Sequence, residues 1–190
     1  MPARRCSGPS KESAAVVVWD CDSMSMPRNL SASRFCDRID AFCADKTGCT
    51  TAVTIFAFSN AQAKLSHKMT ELAEHGVIVI RPKTREAKHS AMADMCRGAC
   101  VGEGIEIQGL RKKFDQVVLI TTDASLIEMA LKERTMNWRS SILLLCGSQL
   151  SPGQRRRLQK ESFFYHAASV FPSQAMVASS PRENKSDATT

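Results

Sequence analysis

The stretch 14-AAVVVWDCDSMSMP-27 decides how the rest of the chain is read. Val16, Val17 and Val18 form an unbroken β-branched run, the composition of a strand buried on both faces. Such strands belong to parallel sheets covered by helices on both sides. The run ends abruptly in Asp20 and Asp22. In open parallel sheets ligands bind beyond the carboxyl ends of the strands. The two carboxylates are therefore site candidates, although acids in that position also serve as turn signals.

Outward from this strand (residues 14–19) the pattern alternates. Phe35, Cys36, Ile39, Phe42 and Cys43 repeat at helical spacing within 31–45, opened by Ser31 as a cap candidate. "TAVTIFAF" (51–58) reads as a strand. A helix over 61–75 turns Leu65, Met69 and Leu72 inward and ends at Gly76. A short strand at 77–80 is stopped by Pro82. A basic connection then enters a helix over 87–101, which Gly102 to Gly109 interrupt before "LRKKF" (110–114) resumes a helical turn. Strands at 116–121 and 141–145 flank a helix at 124–133. A helix at 152–160 follows, with Ser151 as cap and Pro152 in first position. "SFFYHAASVF" (162–171) supplies an edge strand.

The expected fold is α/β: a three-layer α/β/α sandwich with a mainly parallel central sheet. It occupies residues 14–166, between a disordered basic N-terminus (1–13) and a disordered tail (167–190).

No apolar run approaches the roughly 20 residues of a membrane span, and the first residues lack the apolar core of a secretory signal. A short organellar presequence stays open, although Pro2, Gly8 and Pro9 oppose the helix it needs. The net charge of +7 favours polyanionic partners. Of the eight cysteines, Cys36, Cys43, Cys96 and Cys146 sit among apolar residues. They read as reduced thiols in a reducing intracellular compartment, cytoplasm or nucleus. No C-x-x-C pair exists for structural zinc.

Further acids occupy comparable places. Asp123 follows the strand at 116–121, and Asp94 lies in the helix after the third strand, on its polar face with Ser90 and Arg97. Carboxylates from Asp20, Asp22, Asp94 and Asp123 on one rim would repel unless a cation neutralised them, and oxygen ligands suit Mg²⁺ or Mn²⁺. Such a centre activates water for in-line attack on phosphorus. Each acid also has an ordinary role: Asp20 and Asp22 in a loop, Asp123 as a helix cap, Asp94 in solvent.

The motifs "VVVWDCDSMSMP" (16–27), "VIVIRPKTREAKHSAMADM" (77–95) and "QVVLITTDASL" (116–126) together resemble NYN domains, a branch of the PIN-like nucleases. The resemblance covers 14–145 in the right order. It implies a metal-dependent endoribonuclease with Asp20, Asp94 and Asp123 as catalytic, metal-binding acids, Asp22 beside them on the Mg²⁺ or Mn²⁺, and Ser23 and Ser125 supporting. The chain departs from the pattern at Ser23, where many relatives carry Asn, and at Ser125, where they commonly carry a further Asp. Thr121 and Thr122 replace the usual Ser-Gly. A hydroxyl at Ser125 orients a water or phosphate but brings no charge, so metal affinity is weakened.

Lys83, Arg85 and Lys88 lie on the same rim, where an RNA backbone would pass. With one Tyr and two Trp the chain offers no stacking platform, so single-stranded RNA bound with little sequence specificity is the expected partner. "RKK" (111–113) and "GQRRRLQK" (153–160) add charge that solvated faces often carry. Two alternatives remain. One is a catalytically inactive NYN-type module that binds RNA or protein. The other is a haloacid-dehalogenase-type phosphatase with Asp20 as nucleophile, Asp22 as acid/base, Ser59 on the phosphoryl group and Asp123 on Mg²⁺. Met24 departs from that second pattern, which also has no use for Asp94.

Overall fold

The computed structural model describes residues 13–47, 51–61, 67–136, 142–147 and 150–171. In chain order they form β1 (Ser13–Asp20), α1 (Ala32–Thr47), β2 (Thr51–Phe58), α2 (His67–Glu74), β3 (Ile78–Ile80) and α3 (Arg85–Cys100). A hairpin of β4 (Ile105–Ile107) and β5 (Leu110–Lys112) precedes β6 (Gln116–Ile120) and α4 (Ala124–Met136). Then come β7 (Ile142–Cys146), α5 (Pro152–Leu158), β8 (Phe164–His166) and α6 (Ala167–Val170).

Six strands make one sheet in the order β3-β2-β1-β6-β7-β8, and every pairing in it is parallel. The chain first builds outward from β1 through β2 to β3, then returns to the other side of β1 with β6. That reversal opens a crevice between the carboxyl ends of β1 and β6, where connections depart in opposite directions. Trp19 pairs with Ile120 in register, so the residues that follow, Asp20 and Thr121, stand side by side at its mouth.

Burial explains why these segments are strands. Val16, Val17 and Val18 are wholly inaccessible, and every residue of β6 and β7 is buried. α1 packs against α2 and α6 on one side of the sheet, and α3 packs against α4 on the other. An Arg157–Glu128 ion pair ties α5 to α4. The three-layer α/β/α sandwich expected from the sequence is the fold observed.

Alternation along β1 separates structure from chemistry. Trp19 turns to the α1 side, where its ring stacks on Phe35 at 4.5 Å and Phe35 stacks on Phe171 at 5.0 Å. Its indole N–H donates to the Met24 carbonyl at 2.7 Å, which pins the loop after β1. Asp20, one residue on, faces α3.

Two expectations need correction. Residues 110–114 do not resume a helix: β5 pairs with β4 in an antiparallel hairpin. Its turn holds Gln108 at φ 51° and Gly109 at φ 79°, the left-handed pair that a tight hairpin requires. Gly104 closes the hairpin base at φ 79°, and a Cβ there would lie 2.8 Å from the Lys112 carbonyl oxygen. The ordered fold also runs past 166, because α6 seats Val170 and Phe171 in the core. The remaining parts of the expected disordered termini, 1–12 and 172–190, lie outside the described residues, as do 62–66 of the expected second helix.

Among the described residues Cys21, Cys36, Cys43, Cys96, Cys100 and Cys146 are free thiols. No described helix is long and apolar enough to cross a membrane.

Candidate functional site

The crevice at the carboxyl ends of β1 and β6 is a cleft of about 340 Å³ lined by Asp20, Asp22, Ser23, Asn60, Arg85, Lys88, His89 and Asp123. α3 supplies its cationic wall. Thr84 caps that helix by accepting from the Ala87 N–H at 3.1 Å, which starts the helix at Arg85 and points its N-terminal end at the acids. That polarity favours carboxylates nearby. Arg85, Lys88 and His89 then fall at i, i+3 and i+4, on one helical face.

Lys88 is the centre of the arrangement. Its side chain is 5% exposed, and Nζ lies 2.7 Å from Asp20 Oδ1 and 2.7 Å from Asp22 Oδ2. Burial pulls this ammonium toward neutrality, but the hydrogen bonds and charges of Asp20 and Asp22 outweigh it and raise its pKa above the ordinary lysine value. Asp20 is 1% exposed and takes a second hydrogen bond from Thr121 Oγ1 at 3.3 Å. Asp22 is more open and accepts from Ser59 Oγ at 3.2 Å and from the Asn60 N–H at 3.0 Å. Ser23 Oγ accepts from the Thr122 N–H at 3.1 Å and lies 3.2 Å from Thr121 Oγ1, closing a hydroxyl network between the two strand ends.

Asp123 is occupied as well. Its Oδ1 caps α4 by accepting from the Ser125 N–H at 2.9 Å and takes the Ser125 hydroxyl at 2.5 Å. Its Oδ2 is 2.8 Å from an Arg85 guanidinium nitrogen and 3.4 Å from His89 Nε2. His89 Nδ1 is 3.4 Å from Ser125 Oγ. Burial would raise the Asp123 pKa, but Ser125, Arg85 and His89 overcome it and hold it down to about 2. Nearby Cys21 is no thiolate: burial and the charges of Asp20 and Asp22 push its pKa up.

The structure brings Asp20, Asp22, Ser23 and Asp123 to one cleft, with Ser125 bonded to Asp123. Asp94 does not join them, and this corrects the expected catalytic and metal set. α3 buries Lys88, Met92, Cys96 and Ala99 against the sheet. Asp94, two residues past Met92 and so on the opposite face, is 68% exposed in its side chain and pairs with Arg97 at 3.4 Å. The Ser90 hydroxyl donates to it at 3.3 Å. The next inward position of α3 after Lys88 is Met92, an apolar residue with no exposure.

The expected RNA-contact set is corrected at Lys88, which the acids hold inside, while Lys83 and Arg85 stay exposed on the rim. His89 and Thr121, absent from the expected set, belong to the site. The signal for Lys88 was its place at the head of the inward 88–92–96–99 stripe of α3.

As arranged, the carboxylates of this cleft are paired with side-chain cations. Among the described residues no three His, Cys, Asp or Glu side chains are grouped to hold a metal ion. The acid oxygens that would face one are turned instead to Lys88, Arg85 and His89. Chemically, the cleft is an ion-pair cluster of three carboxylates with Lys88, Arg85 and a histidine, with an exposed guanidinium at its lip. No protein-family model and no curated protein matches the chain.

Proposed function

We propose that the chain is a non-hydrolytic, NYN-like module that binds single-stranded RNA by its phosphodiester backbone along the rim of this cleft. The observation that carries the reading is the Lys88 ammonium, 2.7 Å from both Asp20 and Asp22. It supplies from within the protein the positive charge that the paired acids would otherwise draw from a metal ion. The rim supports the binding half. Arg81, Lys83 and Arg85 are exposed along the segment joining β3 to α3. The Arg85–Asp123 pair is open on the Arg85 side, whose side chain is 70% exposed. A phosphate can therefore approach that guanidinium without displacing buried structure. The net charge of +7 favours the approach.

A metal-dependent endoribonuclease is the second reading, favoured by the convergence of Asp20, Asp22 and Asp123 on one cleft. The phosphatase reading loses support because its nucleophile, Asp20, is 1% exposed and locked by Lys88.

The test is to incubate purified chain with end-labelled single-stranded RNA in Mn²⁺, beside an Asp20→Asn/Asp123→Asn control, and to measure binding of the same RNA by anisotropy. Retention of RNA with equal survival in both reactions is the expected result. Mn²⁺-dependent cleavage lost in the control establishes the endoribonuclease instead. Absence of binding refutes both the module and its rim.

A further inference from the structure

We propose that the groove between α4 and α5 is a second contact surface for the backbone of single-stranded RNA, separate from the cleft. The choice of ligand rests on the RNA reading above; the location does not. The groove, about 630 Å³, is walled by Leu131, Lys132 and Arg134 of α4, Arg157 of α5, and Phe163, with Glu128 and Glu161 as its acids. It shares no lining residue with the cleft. α4 leaves the acid rim at Asp123, so its later turns carry the groove down the helical layer and away from the cleft.

The cations here are presented in two ways. Arg134 is fixed: its guanidinium lies 4.6 Å from the Phe163 ring centroid, and NH1 donates to the Ile142 carbonyl at 3.2 Å. A guanidinium already held in place loses less freedom when a phosphate arrives. Arg157 is exchangeable. Its 2.7 Å pair with Glu128 is more than half exposed on both sides, and such pairs contribute little stability. Replacing the Glu128 carboxylate by a phosphate oxygen is therefore nearly neutral for the fold. Lys132, Arg156 and Lys160 are exposed on α4, on α5 and in the turn after it, and make no ion pair among the described residues. Three cations, Lys132, Arg134 and Arg157, thus line the groove with two acids, and the exposed Arg156 and Lys160 on and after α5 tip the balance of this face toward a polyanion.

The test compares three forms of the whole chain: the parent, a groove variant (Lys132→Gln/Arg157→Gln) and a rim variant (Lys83→Gln/Arg85→Gln). Binding of a fluorescein-labelled oligouridylate is followed by anisotropy across a salt series, with thermal unfolding confirming that each variant folds. Each phosphate contact contributes about 0.7 to the slope of log K against log salt for a single strand, so the groove variant should lose about 1.4 from it. A groove variant with the parent's slope and affinity overturns the proposal, and if the rim variant loses slope in the same experiment the cleft reading stands alone. A groove variant that loses slope while the rim variant does not supports the groove and removes the rim. A parent that binds no RNA overturns both.

Discussion

Replacing Lys88 by methionine keeps most of the side-chain stem and deletes the ammonium. Asp20, 1% exposed and one strand end deep, is then left with Thr121 as its side-chain donor. Breaking a buried ion pair by removing one partner costs about 3–5 kcal/mol, because the remaining charge stays desolvated. Asp22 softens the effect, since its carboxylate is 35% exposed and keeps Ser59 and the Asn60 N–H. For a domain of this size the loss corresponds to a drop in Tm of roughly 6–20 °C. Adding Asp20→Asn removes the orphaned charge while leaving an oxygen for Thr121. The double variant should therefore be more stable than the two single losses added together imply, by more than about 1.5 kcal/mol. Urea denaturation of parent, both single variants and the double variant closes the cycle. A Lys88→Met variant that loses less than about 1 kcal/mol would refute the reasoning, because that is the range of an exposed pair.

Three further outcomes follow from the same geometry. With the ammonium gone, Asp20 and Asp22 need another cation, so millimolar Mn²⁺ should raise the Tm of Lys88→Met and leave the parent's unchanged; equal responses in calorimetry would count against the substitution of lysine for metal. The native Asp123 pKa of about 2 lies below the unfolded value, so its pairing stabilises the fold fully above about pH 4 and is lost as pH falls toward 2. Asp123→Asn should remove on the order of 2 kcal/mol at neutral pH and flatten that acid limb in pH-dependent denaturation. Asp94→Asn should change stability by no more than about 0.5 kcal/mol and leave RNA affinity untouched, as fits an exposed position; a large loss of affinity would return Asp94 to the site.

The layered fold was legible because its signals are local. Val16 to Val18, Val117 to Ile120 and Leu143 to Leu145 are apolar runs too short for helices, and each became a strand buried on both faces. Asp20 could be placed because it follows such a run directly. Helical spacing alone sets Asp94 on the polar face with Ser90 and Arg97, and it lies there. That face does not meet the cleft, because the sheet takes the apolar face and solvent takes the other. Lys88 carries no apolar signal, so spacing alone sets it on the rim beside Lys83 and Arg85; in α3 it heads the buried stripe that continues through Met92, Cys96 and Ala99. The hairpin was hidden because its left-handed turn begins at Gln108, a residue type that gives no warning of positive φ.

The stacked rings of Trp19, Phe35 and Phe171 join the first strand to the last described residue. The consequence concerns time. During synthesis Trp19 and Phe35 are made long before Phe171, so this stack of three rings stays incomplete until α6 arrives. Contacts of such wide sequence separation slow folding, and shortening the polypeptide ahead of position 171 would leave the outer face of Phe35 without its ring partner.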